Sequence, residues 1–277
     1  MSLRALPPAG ATRVMAVLNL TPDSFSDGGR FASPAQAVAA GRAAVQAGAE
    51  LLDLGAVSTR PGSRPPPPDE EWARLEPVLG PLRAAVSVPL SLDTTRAAVL
   101  ERALELGVDL LNDTSALADD PDLGPLAAQA GLPVVLMHRR GTPADMQDAP
   151  RYHDCLAEVL AGLREAVARA EAAGIAAERL LLDPGIGFGK RLEHNLALLA
   201  GLPALVALGH RTLLGCSRKA FLGAVTGAEV QDREHGTTVT TVLAAQAGVD
   251  FVRVHDPAAA RQALDLLAAV EGARGAR

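Results

Sequence analysis

The chain has 277 residues, 48% of them hydrophobic, which suits a soluble globular protein with one large core or two smaller ones. A formal net charge of -6 gives no overall attraction to nucleic acid or to an anionic membrane. No apolar run reaches the roughly 20 residues that cross a bilayer, and the first ten residues lack the apolar region of a signal peptide. Cys155 and Cys216 lie far apart without partners at metal-site spacing, so we expect reduced thiols and a cytoplasmic protein.

Eight short apolar runs recur along the chain, and each ends in polar residues or glycine before a segment with helical periodicity. The runs do not alternate polar with apolar residues, as expected for strands buried on both faces of a parallel sheet. The predicted strands are residues 14–19, 51–54, 88–93, 109–113, 134–138, 180–183, 212–215 and 251–255. Helices are predicted after them, for instance at 34–47, 69–84, 95–106, 152–173 and 257–271.

Eight strand–helix units in a chain of this length predict an α/β fold of the (β/α)8 type, the TIM barrel. We expect residues 1–277 to form a single domain, with residues 1–13 as a short N-terminal extension. An open doubly wound sheet is the alternative, although no G-x-G-x-x-G motif opens the first helix. The proline-rich stretch 64–72 resembles a linker, but the strand–helix rhythm continues past it, which favours an ordered loop leading into a helix.

Nearly every predicted strand ends in a polar or ionisable residue. In a barrel of this type, the C-terminal ends of the strands and the loops that follow them face the active site. Any single residue of this kind could instead cap a helix or shape a turn, but their convergence from separate strands favours a site. The residues are Asn19, Asp53, Asp93, Asn112, Asp113, Met137, His138, Asp183, Ser217, Arg218, Lys219, Arg253 and His255.

Several cations belong to these strand ends or to the loops beside them, which predicts an anionic, phosphorylated ligand. In the motif R-V-H of the last strand, alternation places both charged side chains on one face. The motifs S-T-R-P-G-S, G-C-S-R-K-A-F and R-V-H supply Arg60, Arg218, Lys219, Arg253 and His255.

The segment D-P-G-I-G-F-G-K, residues 183–190, imitates nucleotide-binding motifs without matching them. Pro184 stands where the P-loop needs its first glycine, and Arg191 follows Lys190 where that motif needs Ser or Thr. The glycines are better explained as backbone that lies close against a flat ligand beside Asp183. No H-E-x-x-H pattern or G-x-S-x-G elbow indicates zinc-protease or serine-hydrolase chemistry.

Together these motifs resemble the dihydropteroate synthases of folate biosynthesis. The matching segments keep the family's order: N-L-T-P-D-S-F-S-D-G-G, S-T-R-P-G-S, S-L-D-T, L-L-N-D, L-M-H-R-R-G-T-P-A-D-M-Q, D-P-G-I-G-F-G-K, G-C-S-R-K and R-V-H-D. The resemblance implies a (β/α)8 transferase that joins 6-hydroxymethyl-7,8-dihydropterin diphosphate to p-aminobenzoate and releases pyrophosphate. It also implies a homodimer and a requirement for Mg2+.

The same resemblance assigns a pterin site. Carboxylates can accept hydrogen bonds from the amino group and ring N–H of a pterin, and an ammonium can donate to its carbonyl or a ring nitrogen. The implied pterin-binding residues are Asp93, Asn112, Asp183 and Lys219, with Met137 and Phe188 against the flat faces.

The implied diphosphate end consists of Asn19, Arg253 and His255, with Asn19 also an oxygen ligand of Mg2+. The family's mechanism is dissociative: pyrophosphate leaves first, and a pterin methyl cation then meets the arylamine. Asp27 and Asp93 would stabilise that cation electrostatically, so the resemblance implies Asp27, Asp93 and Lys219 as catalytic residues.

By the same resemblance, the loops at 19–29 and 58–63 close over the pterin, exclude water and form the aminobenzoate pocket. The residues implied against the aminobenzoate ring are Phe25, Thr59, Arg60 and Pro61.

Two departures from the family pattern bear on aminobenzoate binding. Ala56 and Val57 stand where the family usually has Gly and Glu, and Ala220 stands where a serine often follows S-R-K. Two alternatives therefore stay open: a barrel methyltransferase that acts on methyltetrahydrofolate, and a non-catalytic pterin-binding paralogue.

Overall fold

The computed structural model describes residues 5–21, 33–58 and 62–275, and eight strands in them form a closed parallel barrel. Each strand pairs with the next, and β8 returns to pair with β1, so the alternative of an open sheet is wrong. All eight predicted strands are confirmed to within two residues at either end. They are β1 Arg13–Asn19, β2 Leu51–Gly55, β3 Leu90–Asp93, β4 Leu110–Asp113, β5 Val134–Met137, β6 Leu180–Asp183, β7 Arg211–Leu214 and β8 Phe251–Val254.

The five named helices are confirmed with shifted ends. The helix predicted at 152–173 begins at Cys155, because the side chain of Asp154 caps it by accepting from the backbone N–H of Ala157 at 3.0 Å. The proline-rich stretch leads directly into a helix that begins at Pro68, as predicted. The described α-helices are α1 Pro34–Gln46, α2 Pro68–Ala85, α3 Ala97–Glu105, α4 Leu123–Ala130, α5 Cys155–Ala172, α6 Leu192–Ala200, α7 Leu202–Val206, α8 Ala220–Thr226, α9 Glu234–Gln246 and α10 Pro257–Gly275.

The core has two layers. Between the strands and the helices lies a large apolar cluster drawn from almost every element. Inside the barrel a smaller cluster fills the N-terminal half, and Leu6 from the N-terminal extension packs against it. This inner cluster consists of Met15, Leu51, Leu110, Val135, Leu181, Leu213 and Phe251. The barrel interior is therefore closed at one end, and a ligand can reach it only from the other.

Acidic residues and arginines bind together at the N-terminal end of the barrel. Asp109 directly precedes β4, and its carboxylate accepts from the backbone N–H of Leu90 on β3 at 3.0 Å and from Arg83 Nη1 at 2.7 Å. Asp250 precedes β8 and binds the N–H of Thr212 on β7 at 2.9 Å together with Arg211. Each carboxylate joins two neighbouring strands, so this end of the barrel is tied by charge as well as by the sheet.

In the part of the chain that the structure describes, no helix is both long and apolar enough to cross a membrane.

Candidate active site

The site residues lie one alternation step above the inner apolar cluster. Successive side chains of a strand point to opposite faces, so the residue two places after an inward-facing one also points inward. On β2, for example, Leu51 of the inner cluster is followed by Asp53, and on β6 Leu181 is followed by Asp183. The same step takes Leu110 to Asn112, Val135 to Met137 and Phe251 to Arg253. Apolar side chains therefore form a floor, and polar ones stand on it.

A buried hydrogen-bond network joins four strands above this floor. The fully buried carboxylate of Asp53 accepts from Ser91 Oγ at 2.5 Å, from Asn112 Nδ2 at 3.1 Å and from Arg253 Nε at 2.6 Å. Arg253 Nη2 also donates to Asp93 Oδ2 at 2.9 Å. The structure thus brings Asp93, Asn112 and Arg253 together, as the sequence predicted.

Two carboxyl groups of the rim, Asp93 and Asp183, have raised pKa values. Burial raises the pKa of Asp93 to about 7, against the lowering effect of Arg253 and with further raising effects from Asp53, Glu71 and Asp113. Burial likewise raises the pKa of Asp183, while Lys219 and the N–H of Gly185 favour its charged form. Perturbed carboxyl groups that converge in this way are characteristic of a functional site.

The glycine-rich segment after β6 lies against the end of β5. Asp183 Oδ1 accepts from the backbone N–H of Gly185 at 2.7 Å, which fixes the first turn of the segment. Gly185 has φ +66, and a Cβ there would lie 1.9 Å from the carbonyl oxygen of His138, so only glycine fits. The same Cβ would lie 3.3 Å from Met137 Cγ, so the segment packs directly against the last residue of β5.

Lys219 reaches across to this segment. Its Nζ donates to the carbonyl oxygen of Ile186 and lies 4.7 Å from the centre of the Phe188 ring. Burial lowers the pKa of Lys219, and the nearby carboxylate of Asp183 opposes that effect. A hydrogen-bond donor, an acceptor and an aromatic face thus lie side by side, which is the set of groups predicted for a pterin.

Lys190 supports the site from behind. The ammonium is buried, and its three hydrogen-bond contacts are His138 Nδ1 at 3.1 Å, the His138 carbonyl oxygen at 3.3 Å and the Phe188 carbonyl oxygen at 3.0 Å. Burial lowers the pKa of His138 to about 3, so its ring is neutral and accepts from Lys190. His138 therefore joins β5 to the glycine-rich segment.

The remaining described candidates lie around the rim. His255 follows β8 and binds Ser217 Oγ through its backbone N–H at 3.2 Å and its ring Nδ1 at 2.9 Å. Arg218 pairs with Glu234 at 3.1 Å. Asn19 ends β1 half-buried, beside Gly55 in the sheet register.

Several predictions concern residues outside the described ranges. These are Phe25, Asp27, Thr59, Arg60 and Pro61. Among the described residues, no group of three or more His, Cys, Asp or Glu side chains could hold a metal ion.

The sequence analysis gave no role to Asp53, Ser91 or Lys190. Asp53 and Ser91 were detectable as polar residues inside apolar strands, in L-L-D-L and L-S-L-D. Lys190 was noticed only as part of a failed nucleotide motif, and nothing in the sequence indicates that it faces His138.

An open cleft of about 1000 Å³ lies elsewhere, between the loop before α5 and the start of α6. Its lining mixes Arg140, Arg151 and Arg191 with Asp154 and Glu158. None of the predicted substrate-binding residues lines it, so its size does not make it the active site.

Comparison with known proteins identifies the relatives of this chain. A family model described as pterin binding enzyme matches residues 15–255. The dihydropteroate synthase of Neisseria meningitidis serogroup C is 45% identical over 256 residues, covering 91% of this chain and 90% of that protein. A crystal structure of the Yersinia pestis dihydropteroate synthase with a sulfonamide drug complex has a TM-score of 0.93 at 39% identity, covering 98% of this chain and 99% of that one. The Xanthomonas albilineans enzyme with 4-aminobenzoic acid has a TM-score of 0.88 at 45% identity, covering 94% and 93% of the two chains, and it is also known with 7,8-dihydropteroate.

A closed eight-stranded barrel with ionisable groups at the C-terminal ends of its strands defines a (β/α)8-barrel enzyme. The family model covers most of the described barrel, and the curated relatives match over nearly their whole length. The chain therefore belongs to the pterin binding enzyme family, and within it to the dihydropteroate synthases.

Proposed function

We propose that the protein condenses 6-hydroxymethyl-7,8-dihydropterin diphosphate with p-aminobenzoate to give 7,8-dihydropteroate and pyrophosphate. The observation that carries this proposal is the placement of Asp183, Lys219 and Phe188 around one glycine-rich segment. A buried acceptor, a half-buried donor and an aromatic face together match one polar edge and one flat face of a pterin.

The proposed pterin contacts follow from the hydrogen-bonding atoms that each side chain does not already use within the protein. Asp183 Oδ1 is engaged by Gly185 N–H, so we propose that Oδ2 accepts from the amino group and ring N–H of the pterin. Asn112 donates its Nδ2 to Asp53, which leaves its amide oxygen to accept as well. Lys219 would exchange the Ile186 carbonyl for an acceptor of the ring. Met137 and Phe188 would pack on the two faces.

The diphosphate would lie beside Arg253. A guanidinium has five N–H donors, and in the described part of the chain Asp53 uses Nε and Asp93 uses one N–H of Nη2, which leaves donors for phosphate oxygens. We propose that His255 shares this role and that Asn19 would hold Mg2+, which would offset the negative charge of the leaving diphosphate. The fit is chemical: an amide oxygen suits Mg2+, which keeps several waters and needs few protein ligands when phosphates supply the rest.

Departure of pyrophosphate would leave a methyl cation on the pterin, and Asp93 would stabilise it. The half-buried side chain of Asp93 has a pKa raised to about 7, and a positive charge forming nearby favours its ionised state. The carboxylate would therefore act most strongly on the transition state, which is how electrostatic catalysis raises a rate. By resemblance, Asp27 acts beside it.

The order of binding can be tested without a variant. If pyrophosphate completes the aminobenzoate pocket, labelled p-aminobenzoate should bind poorly to the enzyme alone and well with pyrophosphate, Mg2+ and a pterin present. Tight binding to the enzyme alone would show that the pocket is preformed.

We also propose that the protein is a homodimer. The contacting helices α6, α8 and α9 expose large apolar side chains, a pattern that marks association surfaces. These are Leu192, Leu196, Val225, Val239 and Leu243. Light scattering should give the mass of two chains, and Val239→Asp should give the mass of one. Leu266→Asp, at an exposed apolar position of α10 outside this group, is the matched control.

The decisive test is a turnover assay with both substrates and Mg2+. Pyrophosphate release that depends on p-aminobenzoate and yields 7,8-dihydropteroate supports the proposal. Binding of the pterin diphosphate without turnover would identify a non-catalytic paralogue, and methyl transfer from methyltetrahydrofolate would identify the other alternative. A high KM for p-aminobenzoate with normal pterin binding would show that Ala56, Val57 and Ala220 weaken the binding of p-aminobenzoate alone.

A further inference from the structure

Asp53 lies beneath the proposed substrate site and is fully buried. Its carboxylate accepts from Ser91 Oγ, Asn112 Nδ2 and Arg253 Nε at 2.5, 3.1 and 2.6 Å. An isolated buried carboxylate is costly, and this one is tolerated because three donors from three other strands surround it. Two of those donors belong to residues that the proposed function places against substrate.

The contact with Asp53 fixes the orientation of Arg253. Nε donates to Asp53 and Nη2 donates to Asp93, so two edges of one rigid plane are held by carboxylates on two different strands. Rotation about the long side chain is therefore restricted, and the remaining N–H groups keep one direction. A guanidinium held this way before the ligand arrives loses little conformational freedom on binding.

The contact also fixes the amide of Asn112. An asparagine can present either its oxygen or its NH2 group to a ligand, and the two choices recognise opposite partners. Because Nδ2 faces the carboxylate of Asp53, the oxygen must face the other way. Asn112 is thereby set to accept a hydrogen bond rather than donate one.

We infer that Asp53 is a positioning residue for the transfer reaction: it aims Arg253 at the leaving diphosphate and the Asn112 oxygen at the pterin without touching either substrate. This inference rests on the proposed placement of the diphosphate at Arg253 and of the pterin at Asn112.

Asp53 also competes with Asp93 for the guanidinium of Arg253. The groups that act on Asp93 are Arg253 from β8, Asp53 from β2, Glu71 from α2 and Asp113 from the end of β4. Of these only Arg253 favours the ionised carboxylate, and Asp53 competes for that same guanidinium. Without the charge of Asp53, Asp93 would ionise at lower pH.

Two substitutions separate orientation from charge. In Asp53→Asn the amide oxygen can still accept from Arg253 and Asn112, while the NH2 group donates to the Ser91 hydroxyl, so only the charge is lost. In Asp53→Ala both the charge and the acceptors are lost. Orientation is reported by the inhibition constant of pyrophosphate and by the KM of the pterin diphosphate. Both constants should therefore rise in the alanine variant and return towards the wild-type values in the asparagine variant.

For Asp53→Ala we expect the inhibition constant of pyrophosphate and the KM of the pterin diphosphate to rise about tenfold, as for a loosened binding group. Asp53→Asn should restore both constants to within about threefold of the wild-type values. In the pH profile of kcat/KM for Asp53→Asn, the acid limb should nevertheless lie about one pH unit lower than in the wild type. That shift is a tenfold change in the ionisation constant. Asp109→Asn, in the buried ion pair with Arg83, should leave the pH profile and both constants unchanged.

Coincident pH profiles for wild type and Asp53→Asn, with unchanged constants in Asp53→Ala, would overturn the inference. If Asp53→Ala does not fold, the wild-type protein still provides a test. The Nε–H resonance of Arg253, assigned by its loss in Arg253→Lys, should be protected from solvent exchange without any ligand, and fast exchange would contradict the anchoring. A failure of the proposed diphosphate site looks different, because Arg253→Ala would then leave pyrophosphate affinity unchanged, while the Arg253 resonance of the wild-type protein would still be protected.

Discussion

The two ends of the barrel both contain buried carboxylates and arginines, but they use them differently. At the N-terminal end, Asp109 binds both Arg83 and the backbone N–H of Leu90, so one carboxylate serves one cation and one strand. At the C-terminal end, Asp53 and Asp93 share the single guanidinium of Arg253. At the N-terminal end Asp109 and Asp250 each pair with an arginine of their own, whereas at the C-terminal end Asp53 and Asp93 are in excess over the one arginine that they share.

The excess of carboxylates agrees with the direction of the pKa shifts at this end. The carboxyl groups whose pKa burial raises are Glu71, Asp93, Asp113 and Asp183, and all four lie at or beside the C-terminal ends of strands. A cationic intermediate or a hydrogen-bond donor would relieve the imbalance there. The comparison therefore separates ion pairs that stabilise the fold, at the N-terminal end, from carboxyl groups that a bound ligand would stabilise, at the C-terminal end.

The largest effect should come from the N-terminal end. Arg83→Ala removes the partner of Asp109 and leaves its carboxylate buried, which should lower the free energy of unfolding by about 3–5 kcal/mol. Denaturant unfolding measures this. The kcat/KM of the protein that remains folded should not change. A loss of activity per folded molecule would contradict the division between the two ends.

Asp183→Asn should affect the opposite property. The new amide presents a donor where the pterin also donates, so the affinity for pterin diphosphate should fall by about 2–4 kcal/mol, as for an unpaired buried group at a charged site. Calorimetric titration measures the affinity, and thermal unfolding should show little loss. Unchanged affinity would remove Asp183 from the site.

Arg253→Ala should distinguish the two parts of the substrate. The affinity for pyrophosphate should fall by about 1–3 kcal/mol, the usual range for a charge-assisted hydrogen bond, and turnover should slow. The unphosphorylated pterin alcohol should bind nearly as well as to the wild type. Equal losses for both ligands would mean that Arg253 only holds Asp53 and Asp93 in place.

The smallest expected effect is the pH dependence of stability due to Asp93. Burial raises its pKa from 3.8 to about 7 in the folded protein, so the folded state keeps a proton that the unfolded chain releases. The contribution of this proton to stability is complete below pH 3.8 and is lost as pH rises through about 7. Between about pH 6 and about pH 7, the wild type should lose about 1 kcal/mol relative to Asp93→Asn. Parallel curves for the two proteins would show that Asp93 ionises normally.

Most of the fold could be predicted from the sequence, because each strand is an apolar run that ends at a polar residue. The strand β6 was located to the residue, since Asp183 and Pro184 end the run L-L-L-D. The strand β3 was predicted two residues too long, because Val88 and Pro89 continue the apolar run before pairing begins at Leu90. Composition marks where a strand can lie, but pairing decides where it starts.

The site was predictable residue by residue but not as a network. The ends of the strands identified Asp93, Asn112, Asp183 and Arg253, yet the sequence could not show which groups bind one another. The contact from Arg253 to Asp53 crosses the barrel interior between strands that are not neighbours in the sheet. Such a contact depends on the diameter and stagger of the closed barrel, which no local pattern encodes.

Closure of the barrel by β8 has a consequence for the order in which the protein can mature. Arg253 lies 200 residues from Asp53 and 160 residues from Asp93, so its two contacts are among the most distant in the chain. During synthesis, β1 to β7 are made before the strand that carries Arg253, and neither contact can form until that strand has emerged from the ribosome. A nascent chain therefore carries Asp53 and Asp93 without their shared cation until β8 has been made, and the pairing of Arg253 with both carboxylates marks the closure of the ring.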